Sequence, residues 1–149
     1  MLWCIWHFFQ VMSELVRFGV SLEKKLLDRF DKLLGKQGYT TRSEAIRDLI
    51  RQELVKREWE NDQNVAGAIT YIYDHHKRGL TNKLITLQHD HQEMIISTQH
   101  VHLDHDNCLE IAVVKGRAKE VQMLANKLRS VKGVRHGTLS MSSTGKSIE

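Results

Sequence analysis

QHDHQEMIISTQHVHLDHDNCLE, residues 88–110, decides how this chain folds. From Ile96 it alternates as a strand should: Ile96, Thr98, His100 and His102 point one way, Val101 and Leu103 the other. Asp104 to Asn107 is a short polar turn. Beyond it a second strand begins, with Cys108 and Glu110 on one face and Leu109, Ile111 and Val113 on the opposite one. A hairpin of these two strands merges two faces, one apolar and one carrying His100, His102, Cys108 and Glu110. The apolar face is expected to be the covered one, leaving the histidine and cysteine face to water or to another subunit. Directly opposed Cβ atoms in a hairpin lie about 5 Å apart, so two imidazoles and a thiolate converge. With His89 just upstream, the pattern reads as a metal site or most of one. A lone H-x-H is more often a polar strand face; the cysteine on the matching face is what changes the reading.

Outward from the hairpin, the remaining elements fall into place. Upstream are a strand over 68–73 and a helix over 78–88 with Leu80, Leu84 and Leu87 on one stripe. Downstream are a helix over 117–131, stripe Val121, Leu124 and Leu128, and a strand over 134–141. The order βαββαβ is that of the ferredoxin-like (ACT-like) fold, with both helices on one sheet face.

The N-terminal half is organised differently. VRFGVS, residues 16–21, alternates Val16, Phe18 and Val20 against Arg17, Gly19 and Ser21. A helix over 23–36 follows, with Leu26, Leu27, Phe30, Leu33 and Leu34 on one stripe, ended by Gly38. Thr41-x-x-Glu44 reads as a capping box opening a second helix, whose stripe is Ala45, Ile46, Leu49, Ile50 and Leu54. One strand and two helices in about 45 residues bury too little apolar surface to stand alone. Two copies that pair their strands remove that deficit. An antiparallel ribbon of this kind fits the major groove of DNA, where Arg17 and Ser21 could read bases. The helix start at Arg42 and Ser43 would offer backbone N–H groups to phosphate.

Composition sets the outer bounds. The chain has 149 residues, a net charge of +4 and a pI near 9.1, which permits nucleic-acid binding without demanding it. Two cysteines far apart in sequence, Cys4 and Cys108, make no disulfide framework and suit a reducing, cytoplasmic setting. The apolar opening MLWCIWHFFQVM is far short of the roughly 20 residues that span a bilayer. It also lacks the flanks of a signal peptide. The expected organisation is an extension over 1–12, a βαα unit over 13–58, a linker over 59–65, a metal-binding domain over 66–145 and a tail over 146–149.

The segments VRFGVSLEKKLLDRFD, GYTTRSEAIRDLIR, YIYDHHKR, QHDH…HVHLDHDNCLEIAVVKG and GVRHG resemble the nickel-responsive ribbon–helix–helix regulators, the NikR family, from about Leu15 to Met141. The spacing His89-x10-His100-x-His102-x5-Cys108 carries most of that resemblance. It implies one Ni(II) per subunit, held in a square plane by His100, His102 and Cys108 with His89 from a neighbouring subunit. It implies a homotetramer, a dimer of dimers, bound to double-stranded operator DNA, with Arg17 and Ser21 at the base-reading positions. Gly19 stands where family members often have threonine, so it brings no side-chain contact. Lys77 and Arg78 match a loop that touches the DNA backbone, against the plain alternative of a solvated basic turn.

Chemistry adds to this. Imidazole and thiolate donors suit Ni(II) or Cu(II) in tetragonal geometry, while three histidines and a cysteine also make a closed zinc site. Gln88 and Glu110 read as partners orienting the imidazoles, or as simple surface polarity. His75, His76, His91, His105 and His136 read as solvated or as weak secondary metal positions. No nucleophile–base pair, phosphate loop or open metal position points to catalysis, a small-molecule substrate or a membrane. The implied function is nickel-dependent repression of nickel-uptake genes. The rivals are a zinc- or copper-responsive regulator of the same architecture, and an antitoxin-like ribbon–helix–helix protein with a protein partner.

Overall fold

A computed structural model describes residues 15–148. The extension over 1–12, with Cys4 and His7, lies outside the described residues. The chain forms two compact units that divide between Arg42 and Ser43.

In the first unit, α1 spans Lys24–Gln37 and stops at Gly38, whose left-handed φ of 78° lets its N–H reach back to the Leu34 carbonyl. Residues 15–23 form no strand, which differs from the expectation for 16–21. The reason is physical: a strand's N–H and C=O groups need a second strand, and the described residues offer none there. Val16, Phe18 and Val20 are accordingly exposed.

The second unit holds the rest. Helix α2 spans Arg42–Glu60, β1 Asn64–Tyr73, α3 Leu80–His89, β2 Ile95–His102, β3 Cys108–Arg117, α4 Ala118–Ser130 and β4 Val134–Ser142. The four strands form one antiparallel sheet in the order β2-β3-β1-β4, the ferredoxin-like arrangement expected of βαββαβ. Residues 59–65 are not a free connection. Trp59 and Val65 are buried in the core, and the Trp59 indole N–H donates to the Ser142 carbonyl at 2.9 Å. Between them Asp62 ties the turn to α4, accepting from the Lys119 backbone N–H at 2.9 Å and from the Arg117 guanidinium at 2.8 Å.

The sheet buries the opposite face from the one expected. Its covered face carries Val65, Ile69, Tyr71 and Tyr73 of β1 and Cys108, Glu110, Ala112 and Val114 of β3. Leu80 and Leu84 of α3 and Val121, Leu124 and Leu128 of α4 pack in the same cluster. Leu109 and Ile111 are only half-buried, and Val113 is exposed. Strand β3 is apolar on both faces, so its own alternation could not choose. Strand β1 chooses, because Val65, Ile69, Tyr71 and Tyr73 share one face while Ala66, Ala68 and Thr70, with Ile72 the one large residue among them, share the other. The register Tyr73↔Cys108, Tyr71↔Glu110, Ile69↔Ala112 then carries Cys108 and Glu110 inward. Each large apolar side chain so buried contributes about 1.5–3 kcal/mol, enough to outweigh one buried carboxylate whose oxygens are hydrogen-bonded.

Candidate metal centre

Three strand ends meet at one edge of the sheet. Cys108 opens β3, His102 closes β2 directly opposite it, and Tyr73 closes β1 on its other side. The chain leaving β1 brings His75 back over the same spot. The Cys108 Sγ lies 3.1 Å from His75 Nδ1 and 3.3 Å from His102 Nδ1. Ligand-capable atoms of these three residues all fall within 4.8 Å of one another. The thiol is fully buried. Burial pushes its pKa up, helped by the negative charges of Asp104, Asp74 and Glu110. Burial likewise lowers the pKa of His75, as do the neighbouring imidazoles of His76 and His102. This favours the neutral form that binds metals.

His100 sits one pair further along, opposite Glu110, with its ring 4.8 Å from that of His102. Its Nδ1 lies 3.2 Å from the Tyr73 hydroxyl, which itself donates to Glu110 Oε2 at 3.0 Å. The hydroxyl has one proton and gives it to the carboxylate, so His100 Nδ1–H donates to Tyr73. Nε2 is thereby left with the free lone pair, the usual arrangement of a metal-binding imidazole. Gln88 completes the network, its amide donating to the Tyr71 hydroxyl at 2.7 Å and to Glu110 Oε1. Burial first, and the Glu110 charge second, raise the pKa of both tyrosines well above the phenol range, so both stay protonated donors.

Of the residues singled out in the sequence, then, His102 and Cys108 meet, and His100 adjoins them. Gln88 and Glu110 form one buried hydrogen-bond network behind them. His89, the last residue of α3, is exposed and stands outside the grouping. His75, read from sequence as a solvated or weak secondary position, is instead at the thiol. Tyr71 and Tyr73 were missed altogether. Their signal was present: two tyrosines at i and i+2 on one strand face, just before His75.

The nucleic-acid candidates lie elsewhere. Arg17, Gly19 and Ser21 are exposed in the unpaired segment, and a Cβ at Gly19 would meet nothing within 4 Å. Arg42 is the first residue of α2, its guanidinium held by both oxygens of Asp31 at 2.8 Å. Ser43 follows it, exposed. Lys77 and Arg78 lie exposed in the turn before α3, with the Lys77 stem over Gly133.

By class this is a two-part α+β protein with a thiol–imidazole cluster at the end of a ferredoxin-like sheet. Residues 66–142 match the model of the NikR C-terminal nickel-binding domain, and residues 16–57 that of the ribbon–helix–helix proteins of the CopG family. A protein of Syntrophus aciditrophicus named "Putative nickel-responsive regulator" is 63% identical over 134 residues, covering 90% of this chain and 98% of that protein. Proteins with the same name from Chlorobium limicola and Nitratidesulfovibrio vulgaris are 58% and 53% identical, over 90% and 92% of this chain and 100% and 99% of theirs. An uncharacterized protein of Thermotoga maritima matches in structure with a TM-score of 0.46 and 16% identity, covering 52% of this chain and 98% of that one. The chain belongs to the family of nickel-responsive regulators.

Proposed function

We propose that this protein is a nickel-dependent, sequence-specific DNA-binding regulator that represses nickel-uptake genes from the cytoplasm, working as a homotetramer on operator DNA. The observation that carries it is the donor set at the strand ends: a buried thiol within 3.3 Å of imidazole nitrogen, with a second strand histidine held by a buried network. Thiolate and imidazole together suit Ni(II). His100, His102 and Cys108 would hold one ion per subunit, with His89 from a neighbouring copy. Tyr73, Gln88 and Glu110 fix the His100 tautomer, and the metal requires the Cys108 proton to leave. Arg17 and Ser21, on a ribbon formed with a second copy, would read bases. The N–H groups of the α2 start at Arg42 and Ser43, and the side chains of Lys77 and Arg78, would hold phosphate.

Nickel then acts as an effector, and linkage requires DNA to tighten nickel binding by the factor with which nickel tightens DNA binding. The test is a labelled fragment of the promoter of a nickel-uptake gene, incubated with the full chain. It should shift with Ni(II) and return to free DNA on adding a chelator. A shift that ignores both, or one that only Zn(II) supports, overturns the nickel reading.

A further inference from the structure

We infer that Arg135 is a positioning residue for the nickel response: its guanidinium joins the turn that carries Lys77 and Arg78 to the residue before Cys108, so that the metal centre and the basic turn move together. This rests on the reading of the chain as a nickel-responsive DNA-binding regulator.

Arg135 is the second residue of β4, and β4 does not neighbour β3, because β1 lies between them. The side chain reaches past the end of β1 and serves both sides. Nη1 donates to Asn107 Oδ1, and Nη2 lies 3.5 Å from Asp74 Oδ2. Asn107 is held firmly in this role. Its Nδ2 donates to both Asp104 oxygens, at 2.9 and 2.8 Å, which leaves Oδ1 to Arg135. Its backbone N–H donates to Asp104 Oδ1 at 2.8 Å. The next residue is Cys108, so a shift of Asn107 is a shift of the thiol's backbone.

The other partner opens the basic turn. Asp74 Oδ1 accepts from the His76 N–H at 3.0 Å, the Asp74 carbonyl from the Lys77 N–H at 3.2 Å, and the Lys77 carbonyl from the Leu80 N–H at 3.0 Å. His75 follows Asp74 directly and covers the thiol, 3.1 Å from Sγ. The corner that leads into β4 supports the same turn. At Gly133, whose φ is 119°, a Cβ would fall 2.8 Å from Leu80 Cδ2 and 2.9 Å from Lys77 Cδ. Gly133 and Arg135 therefore seat the turn together.

The Arg135 side chain is half exposed, and an ion pair so placed adds little to stability. What it adds is geometry. A planar guanidinium fixes two acceptors relative to each other, and a lysine, with a single ammonium, keeps the charge but loses the fork.

The test uses the full-length protein and the labelled promoter fragment of a nickel-uptake gene. The quantity read is the nickel enhancement, the ratio of the DNA Kd without Ni(II) to that with it. Arg135→Gln and Arg135→Lys should each cut this enhancement by about tenfold and leave the denaturant midpoint unchanged. Lys77→Ala should weaken nickel-bound DNA binding in wild type and do so much less in Arg135→Gln, where the turn is no longer held. In the metal-free protein, alkylation of Cys108 by iodoacetamide, followed on its own peptide by mass spectrometry, should be several-fold faster in both variants. Losing a cation by itself would slow that reaction by disfavouring the thiolate, so a faster rate reports opening of the cover over the thiol. Full enhancement in Arg135→Gln, its rescue by Arg135→Lys, or an unchanged alkylation rate overturns the proposal. A denaturant midpoint that falls together with the enhancement marks a merely structural role and overturns it too. If wild type shows no nickel enhancement, the regulator reading fails, and the alkylation rates alone decide whether Arg135 holds the turn over the thiol.

Discussion

Gly67 has no room for one more carbon. A Cβ built there falls 2.8 Å from the Ser140 carbonyl oxygen, which belongs to the β4 backbone and cannot step aside without breaking the β1–β4 ladder. Gly67→Ala should therefore destabilise the protein by about 1–3 kcal/mol, the usual cost of overpacking, read as a lower denaturant midpoint with an unchanged slope. An unchanged midpoint would mean that the two strands are not packed as described. The need for a glycine here was not legible in the sequence, where Gly67 falls just ahead of the strand expected over 68–73. His100, His102 and Cys108 were legible, because period two and a short turn fix which strand residues face each other. His75 was not. It reaches the thiol from the irregular chain after β1, and neither alternation nor helical spacing says where such a segment turns.

At the scale of elements, sequence reading worked wherever one face was clearly apolar. The stripes of α3 and α4 were read correctly, with ends within two residues of those observed. It failed on β3, where Ile111 and Val113 on one face compete with Ala112 and Val114 on the other and only the register with β1 decides. It also placed a linker where α2 docks through Trp59. Asp62, in the turn after that helix, has a left-handed φ of 51° and ties the turn to the start of α4. The Lys119 N–H, and then the Arg117 guanidinium, hold its carboxyl below the ordinary value of 3.8. A carboxyl depressed in the fold adds stability that is complete above its unfolded pKa and is lost as the pH falls through the folded one. Asp62→Asn tolerates the same backbone conformation and can still accept from Lys119, but loses the charge. Its melting temperature should lie below that of wild type at neutral pH, with the gap closing as the pH drops below about 4. A gap that is constant with pH would show that the ionised carboxylate is not what holds the turn.

At the scale of the whole molecule, one copy of the chain leaves too much apolar surface in water. In the first unit Leu15, Val16, Phe18, Val20 and Leu22 are exposed; on α2, Leu49 and Ile50 are about half exposed, at 51% and 49%. Apolar patches of this extent mark association surfaces. If a second copy pairs the ribbon, as proposed, a second copy can also complete the metal site, and His89 is the residue this concerns. It lies exposed at the end of α3, outside the grouping around Cys108. If His89 serves a neighbouring copy, neither His89→Ala nor Cys108→Ser alone forms a full ligand set. Subunits of the two kinds mixed in one oligomer can complete some sites between them, because each supplies what the other lacks. Unfolded together and refolded, the mixture should recover part of the wild-type nickel affinity and of the thiolate-to-metal absorption, and the two variants refolded separately should recover neither. Mixed oligomers confirmed by differential tagging that show no recovery would place His89 within its own chain's site, or outside the nickel site altogether.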